Sequence, residues 1–234
     1  MKVALEPRYI VETAERLRKR IGERFPESGL LRVAGAVEKT ARAANREGAE
    51  AAKPILLLRL TAFALGALMA VGLVAAFVQV RLTGKVGNIA ELLQGADAAA
   101  NLCLLLGAGI LSILKLEEKL RRGRALELVY ALKAMAHVID MHQLTKDPDS
   151  VAGKGPHTAS SPKRTMTPFE LGRYLDYCSE LLSLIGKIAA VYARHAQDSV
   201  VLEAIDGTEA LAAGLSRKIW QKIAILSETP ASRH

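Results

Sequence analysis

Two charge-free apolar runs interrupt an otherwise charge-rich chain. Leu60–Val80 contains 21 uncharged residues, and as a helix it would be about 31 Å long, close to the thickness of a hydrocarbon core. Ala98–Leu114 contains 17 uncharged residues, which is the short end of what can cross a membrane. We therefore predict two transmembrane helices, at about 55–80 and 98–116, joined by a loop over residues 81–97.

Amphipathic helical patterns lie on both sides of these runs. Apolar residues recur at three- and four-residue spacing in four further segments, which are residues 9–24, 28–53, 117–145 and 167–226. Isolated helices of this length are marginally stable, so each apolar face needs a partner. We predict an all-α membrane protein in which a transmembrane hairpin, residues 54–116, carries a cytoplasmic helical bundle formed by the helices of residues 1–53 and the C-terminal helices.

Local signals divide the C-terminal part of the chain. Thr167, Pro168 and Glu170 form a capping box with proline in the first turn, a specific helix start, and a last helix starting near Asp198 or Ser199 would pair with the preceding one as an antiparallel hairpin. Proline, glycine and serine are frequent over residues 146–166, which predicts a flexible linker. Residues 227–234 form a tail.

Basic residues flank the two spans on their outer sides. The net charge is +8 at pH 7, and the loop between the spans is poor in Lys and Arg, so the positive-inside rule puts both termini in the cytoplasm. We expect a multi-pass protein of the cytoplasmic, or inner, membrane with the lipid bilayer as a partner. Because basic and acidic residues interleave and aromatics are only 4%, we expect no nucleic acid partner.

Small and polar residues mark the inner faces of the spans. Gly66 and Ala70 lie four residues apart on the first span, and one face of the second combines polar and small positions, namely Asp97, Asn101, Ala108 and Ser112. Such a face should turn away from lipid. Two alternatives follow: it packs on Gly66 and Ala70, which we favour, or it lines a water-filled axis between protomers.

A possible metal or haem site lies near residue 140. His137, Asp140 and Met141 share a helical face and are ligand types for metals, whereas His142 points away. The competing interpretation, which we favour, is a helix C-terminus where His142 and Lys146 meet the dipole. We therefore expect no cofactor.

Two surface patches suit a partner or lipid headgroups. Arg173 and Tyr177 lie on a polar and aromatic edge. Trp220 stands beside Arg217 and Lys218 and suits anionic headgroups or a partner, although the core of the hairpin is the more favoured place for it.

None of the common soluble-enzyme motifs occurs in the sequence, so we expect a non-enzymatic protein. Its cytoplasmic helices would mediate self-association, which makes a homo-oligomer, or binding of a protein partner, and its hairpin would anchor the protein or form an oligomeric pore. In layout the chain resembles the two-span SLATT-type membrane effectors of bacterial defence systems, a likeness of topology that carries no residue role. The alternative is a membrane-bound metal or haem protein that uses the site near residue 140.

Overall fold

All the elements that the structure describes are helices. The computed structural model describes residues 5–83, 89–146, 148 and 166–227, except for the side chains of 79–83, 91 and 92. In chain order the helices are α1 (Pro7–Arg24), α2 (Gly29–Ala52), α3 (Leu56–Thr83), α4 (Ile89–Leu144), α5 (Pro168–Ala193) and α6 (Ser199–Ser227). The predicted linker and tail lie largely outside the described residues.

Side-chain caps start the helices where the sequence predicts them. Thr167 Oγ1 accepts a hydrogen bond from the Glu170 amide at 3.2 Å, and the Glu170 carboxylate accepts one from the Thr167 amide at 2.8 Å, so the capping box is confirmed. Asp198 Oδ1 accepts from the amides of Val200 and Val201 at 2.9 and 3.3 Å. Asp198 is therefore the N-cap of α6.

The chain divides into two compact units, and the first is a helical bundle of residues 1–52 and 124–234. Helix α5 is its centre, with 14 of 26 residues buried, so it is covered on most of its circumference rather than on one face. A Cβ added to Gly172 would lie 3.5 Å from Leu226, and the hydroxyls of Ser179 and Ser216 are 2.8 Å apart, so α5 and α6 pair antiparallel as predicted. Helices α1 and α2 and the last part of α4 complete the core.

The second unit, residues 53–123, contains two helices that are long and apolar enough to span a membrane. Helix α4 begins at Ile89, so the part of the predicted loop over 89–97 is helical. Asp97 limited the predicted span because it is charged, but charge limits membrane crossing rather than helix formation, and the surrounding alanines favour a helix.

Candidate functional site

The polar face of α4 is the first candidate site in the apolar helix pair. Asp97, Asn101, Ala108 and Ser112 are all exposed. The Asn101 amide donates to the Asp97 carboxylate at 3.3 Å, and the Ser112 hydroxyl donates to the Ala108 carbonyl at 2.8 Å. These bonds lie within one helix, so the face remains open to a neighbour.

The seam between α3 and α4 uses a different face of α4. A Cβ added to Gly72 would lie 3.4 Å from Leu102, and one added to Gly66 would lie 4.0 Å from Ile110. Ala70 is exposed. The predicted packing of the polar face on Gly66 and Ala70 is therefore wrong, because around a helix with 3.6 residues per turn Ile110 lies opposite Asn101 and Leu102 lies about 100° from it.

An ion pair that is absent from the predicted site residues, between the exposed Arg59 of α3 and the buried Glu117 of α4, lies on the side of α4 that faces away from Asn101. Glu117 is only 4% exposed, and its Oε1 accepts hydrogen bonds from Arg59 Nε and from the Ile55 amide, both at 3.1 Å. Glu117 thus supplies an acceptor at the N-terminus of α3 and faces it. An acidic residue among the lysines and arginines that follow the second run is the sequence signal for this contact.

Tyr177, predicted on a partner surface, is buried. Its side chain is 3% exposed, and its ring packs edge-on against Phe25, with centroids 6.2 Å apart. The guanidinium groups of Arg20 and Arg173 lie 5.5 and 5.1 Å from the ring centroid. The surface assignment of Tyr177 is wrong because the turn between α1 and α2 covers this edge of α5; Arg173 itself pairs with Asp176 at 2.7 Å.

Trp220 lies on the surface rather than in the hairpin core. It is 56% exposed, whereas its neighbour Ile219 is fully buried, so the favoured core placement holds for Ile219 and is wrong for Trp220. Arg217 and Lys218 are also exposed. Trp220 shares a surface depression with Tyr9 of α1, which gives the aromatic ring a neighbour from another helix.

Two of the three residues proposed as metal ligands are exposed on α4, and the third is already hydrogen-bonded. His137 is exposed and Met141 is 66% exposed, while the Asp140 carboxylate accepts a hydrogen bond from Gln143 Nε2 at 2.6 Å. Within the described ranges, no group of three His, Cys, Asp or Glu side chains is placed to hold a metal ion. The geometry therefore gives the metal or haem alternative no support.

His142 lies against the first residue of α2. A Cβ added to Gly29 would collide with Cε1 of the His142 ring, so glycine makes room for the imidazole. Burial lowers the pKa of His142, and the positive charges of Arg32 and Lys146 lower it further. The Lys222 ammonium donates to the carbonyls of Gln143 and Lys146, at 2.9 and 3.2 Å, and so supplies the cation at the C-terminus of α4.

The one cysteine in the bundle, Cys178, is fully buried. Burial raises the pKa of Cys178 to about 12, so its thiolate is almost absent at neutral pH. Cys103, in the second unit, is half-buried in the apolar part of α4. Both positions are typical of cysteines that pack as small apolar residues.

Comparison of the chain with family models, with curated proteins and with solved structures gives no match in any of the three.

Proposed function

We propose that this is a non-enzymatic, multi-pass protein of the cytoplasmic membrane that self-associates through the polar face of α4 and carries its helical bundle on the cytoplasmic side as a binding module. The observation behind the proposal is the direction of that face. Asn101 and Asp97 are turned away from the seam that holds α3 and α4 together. Among the side chains that the structure describes, none of α3 forms a hydrogen bond with either of them.

The free energy of exposing polar groups to lipid supports self-association. An amide or carboxylate that faces hydrocarbon is costly, and the usual solution in membranes is to bury it against another helix. Interhelical hydrogen bonds of this kind contribute roughly 0.6–2 kcal/mol each. A second copy supplies the same Asn101 and Asp97 groups and can satisfy them by symmetry.

Cross-linking in membranes tests the proposal directly. In a variant without native cysteines, Asn101→Cys should give covalent dimers or larger species with a short bismaleimide, because the polar faces of two copies meet. Leu106→Cys is the matched control, since residue 106 points towards α3 on the same helix. Equal cross-linking at the two positions, or none at Asn101, would count against self-association through this face.

A second measurement separates an anchor from a pore. If the polar faces surround a water-filled axis, the oligomer in liposomes should pass ions, and Asn101→Leu should reduce that flux while cross-linking at Ser112→Cys persists. If the faces only pack, neither protein conducts, and Asn101→Leu weakens association by roughly 1 kcal/mol.

A further inference from the structure

A surface groove runs along the bundle between α1 and α6, with α5 as its floor. It consists of two adjoining depressions of about 510 and 650 Å³ that share Leu5, Ser183, Lys187 and Ser216. We call this the bundle groove. Its two ends differ in chemistry, and this difference indicates what can occupy it.

The first end of the bundle groove is aromatic. Tyr9 of α1 and Trp220 of α6 line it and are 53% and 56% exposed, and Leu5 is 38% exposed. Half-exposed aromatic rings from two helices are the typical anchors of a protein interface, since they bury a large apolar area at low entropic cost. The acidic residues at this end, Asp176 and Glu180, are already paired with Arg173 and Arg20.

The second end of the bundle groove is acidic. Asp206 and Glu209 line it from α6, and neither forms a salt bridge with any residue that the structure describes. Burial raises the pKa of Glu209, and the negative charge of Asp206 raises it further, so a cation placed beside the two carboxylates would stabilise their charged forms. Lys187 lies between the two ends, and its ammonium donates to the Ser183 hydroxyl at 2.6 Å.

We propose that the bundle groove binds an amphipathic helix of a partner protein that places apolar side chains on Tyr9 and Trp220 and a lysine or arginine on Asp206 and Glu209. Eleven residues of α6 separate Trp220 from Glu209, which corresponds to about 16 Å, or three helical turns. A partner helix lying along α6 would therefore carry its basic residues about three turns from its apolar anchor. This inference rests on the proposed role of the bundle as a binding module, but it does not depend on self-association of α4.

Trp220 makes the inference directly measurable, because it is the only tryptophan in the chain. The probes are two synthetic amphipathic helices that begin with the same leucine-rich turn. About three turns later, one carries lysines and the other carries glutamates. Each is titrated into the full chain in nanodiscs of zwitterionic lipid, with empty nanodiscs as the blank. We expect the lysine peptide to shift the Trp220 emission to shorter wavelength and to saturate, and the glutamate peptide to bind at least about tenfold more weakly.

Variants in which carboxylates are replaced by amides distinguish binding in the groove from nonspecific electrostatic attraction between the peptide and the protein. Asp206→Asn combined with Glu209→Gln should weaken the lysine peptide about tenfold, whereas Glu23→Gln combined with Glu27→Gln, an equal change of charge outside the groove, should leave its affinity unchanged. Circular dichroism checks that both variants fold. The inference would be overturned if the protein bound the lysine and glutamate peptides equally, or if the two double variants bound the lysine peptide equally. It would also be overturned if the Trp220 emission shifted with protein concentration in the absence of peptide, because a second copy of the chain would then occupy the groove. Cross-linking at residue 101 reports on self-association separately, so failure of one proposal is not mistaken for failure of the other.

Discussion

The state of single ionisable groups in the bundle follows from what packs against them. Glu38 accepts hydrogen bonds from Arg42 and Arg18, at 2.8 and 2.5 Å, and these lower the pKa of its carboxyl group. His142, by contrast, lies beside groups of the charge that it would itself carry, because its half-buried ring is close to the cations Arg32 and Lys146. Both shifts favour the charge state that the neighbours tolerate, a carboxylate for Glu38 and a neutral imidazole for His142.

Protonation of His142 should destabilise the bundle. Because its pKa in the folded protein lies below the ordinary value of 6.5, its contribution to stability is complete above about pH 6.5 and is lost as the pH falls from there through the folded-state pKa. We expect His142→Gln to unfold at a temperature that depends less on pH between 7 and 5 than that of the unmodified protein, as measured by thermal unfolding in detergent. His137→Gln, at an exposed histidine of the same helix, is the control, and an equal flattening in both variants would contradict the assignment.

Helix contacts in the bundle depend on where glycine stands. At Gly48 an added Cβ would lie 3.1 Å from the Tyr192 ring and 3.0 Å from the His195 ring, so α2 approaches the end of α5 closely. Gly207, on the exposed side of α6, has no atom within 4 Å of an added Cβ. The same residue type thus permits contact at one position and only weakens the helix at the other.

Alanine substitution at these two glycines should separate the two effects. Gly207→Ala should raise the free energy of unfolding by about 1 kcal/mol, because alanine favours the helix and the position is open. Gly48→Ala should raise the free energy of unfolding by a smaller amount or should lower it, because the new methyl group presses on the buried Tyr192. Thermal unfolding of the two variants in detergent makes the comparison, and an equal gain at both positions would mean that α2 and α5 are not closely packed.

For the whole molecule, the proposed function depends on the predicted orientation of the chain in the membrane. Basic residues flank both apolar runs on the outer sides, and few lie between them. Both ends should therefore lie on the cytoplasmic side. The bundle is built from segments on both sides of the apolar helix pair, and two crossings of the bilayer would leave these segments on the same side.

Thiol labelling tests this orientation. In a cysteine-free variant, Asn88→Cys in the loop between the spans should react with a membrane-impermeant maleimide in intact cells, whereas Ser150→Cys in the predicted linker should react only after permeabilisation. Both positions lie outside the described residues, and their labelling depends on topology alone. Labelling in the reverse order would place the bundle outside the cell and reject the cytoplasmic proposal.

Features that depend on nearby residues could be predicted from the sequence. Hydrophobic length identifies the two apolar helices, because the test compares one segment with the thickness of a bilayer. The Thr167 and Asp198 caps and the three- and four-residue spacing of α5 are local in the same sense, since the atoms that bond are within one helical turn. The helices of the bundle and their antiparallel pairing at α5 and α6 were predicted from these signals.

Other features depend on contacts between residues far apart in sequence, and only the tertiary structure decided them. Tyr177 is covered by a turn more than 150 residues away in the chain, Trp220 is left exposed, and Asn101 faces away from the seam in which Glu117 of α4 bonds to Arg59 of α3. A helical pattern gives the relative angles of side chains around one helix but not the rotation of that helix against its neighbours. That rotation is determined by the combined packing of all the helices, and it is what separates a buried aromatic residue or a closed polar face from one that is free to bind.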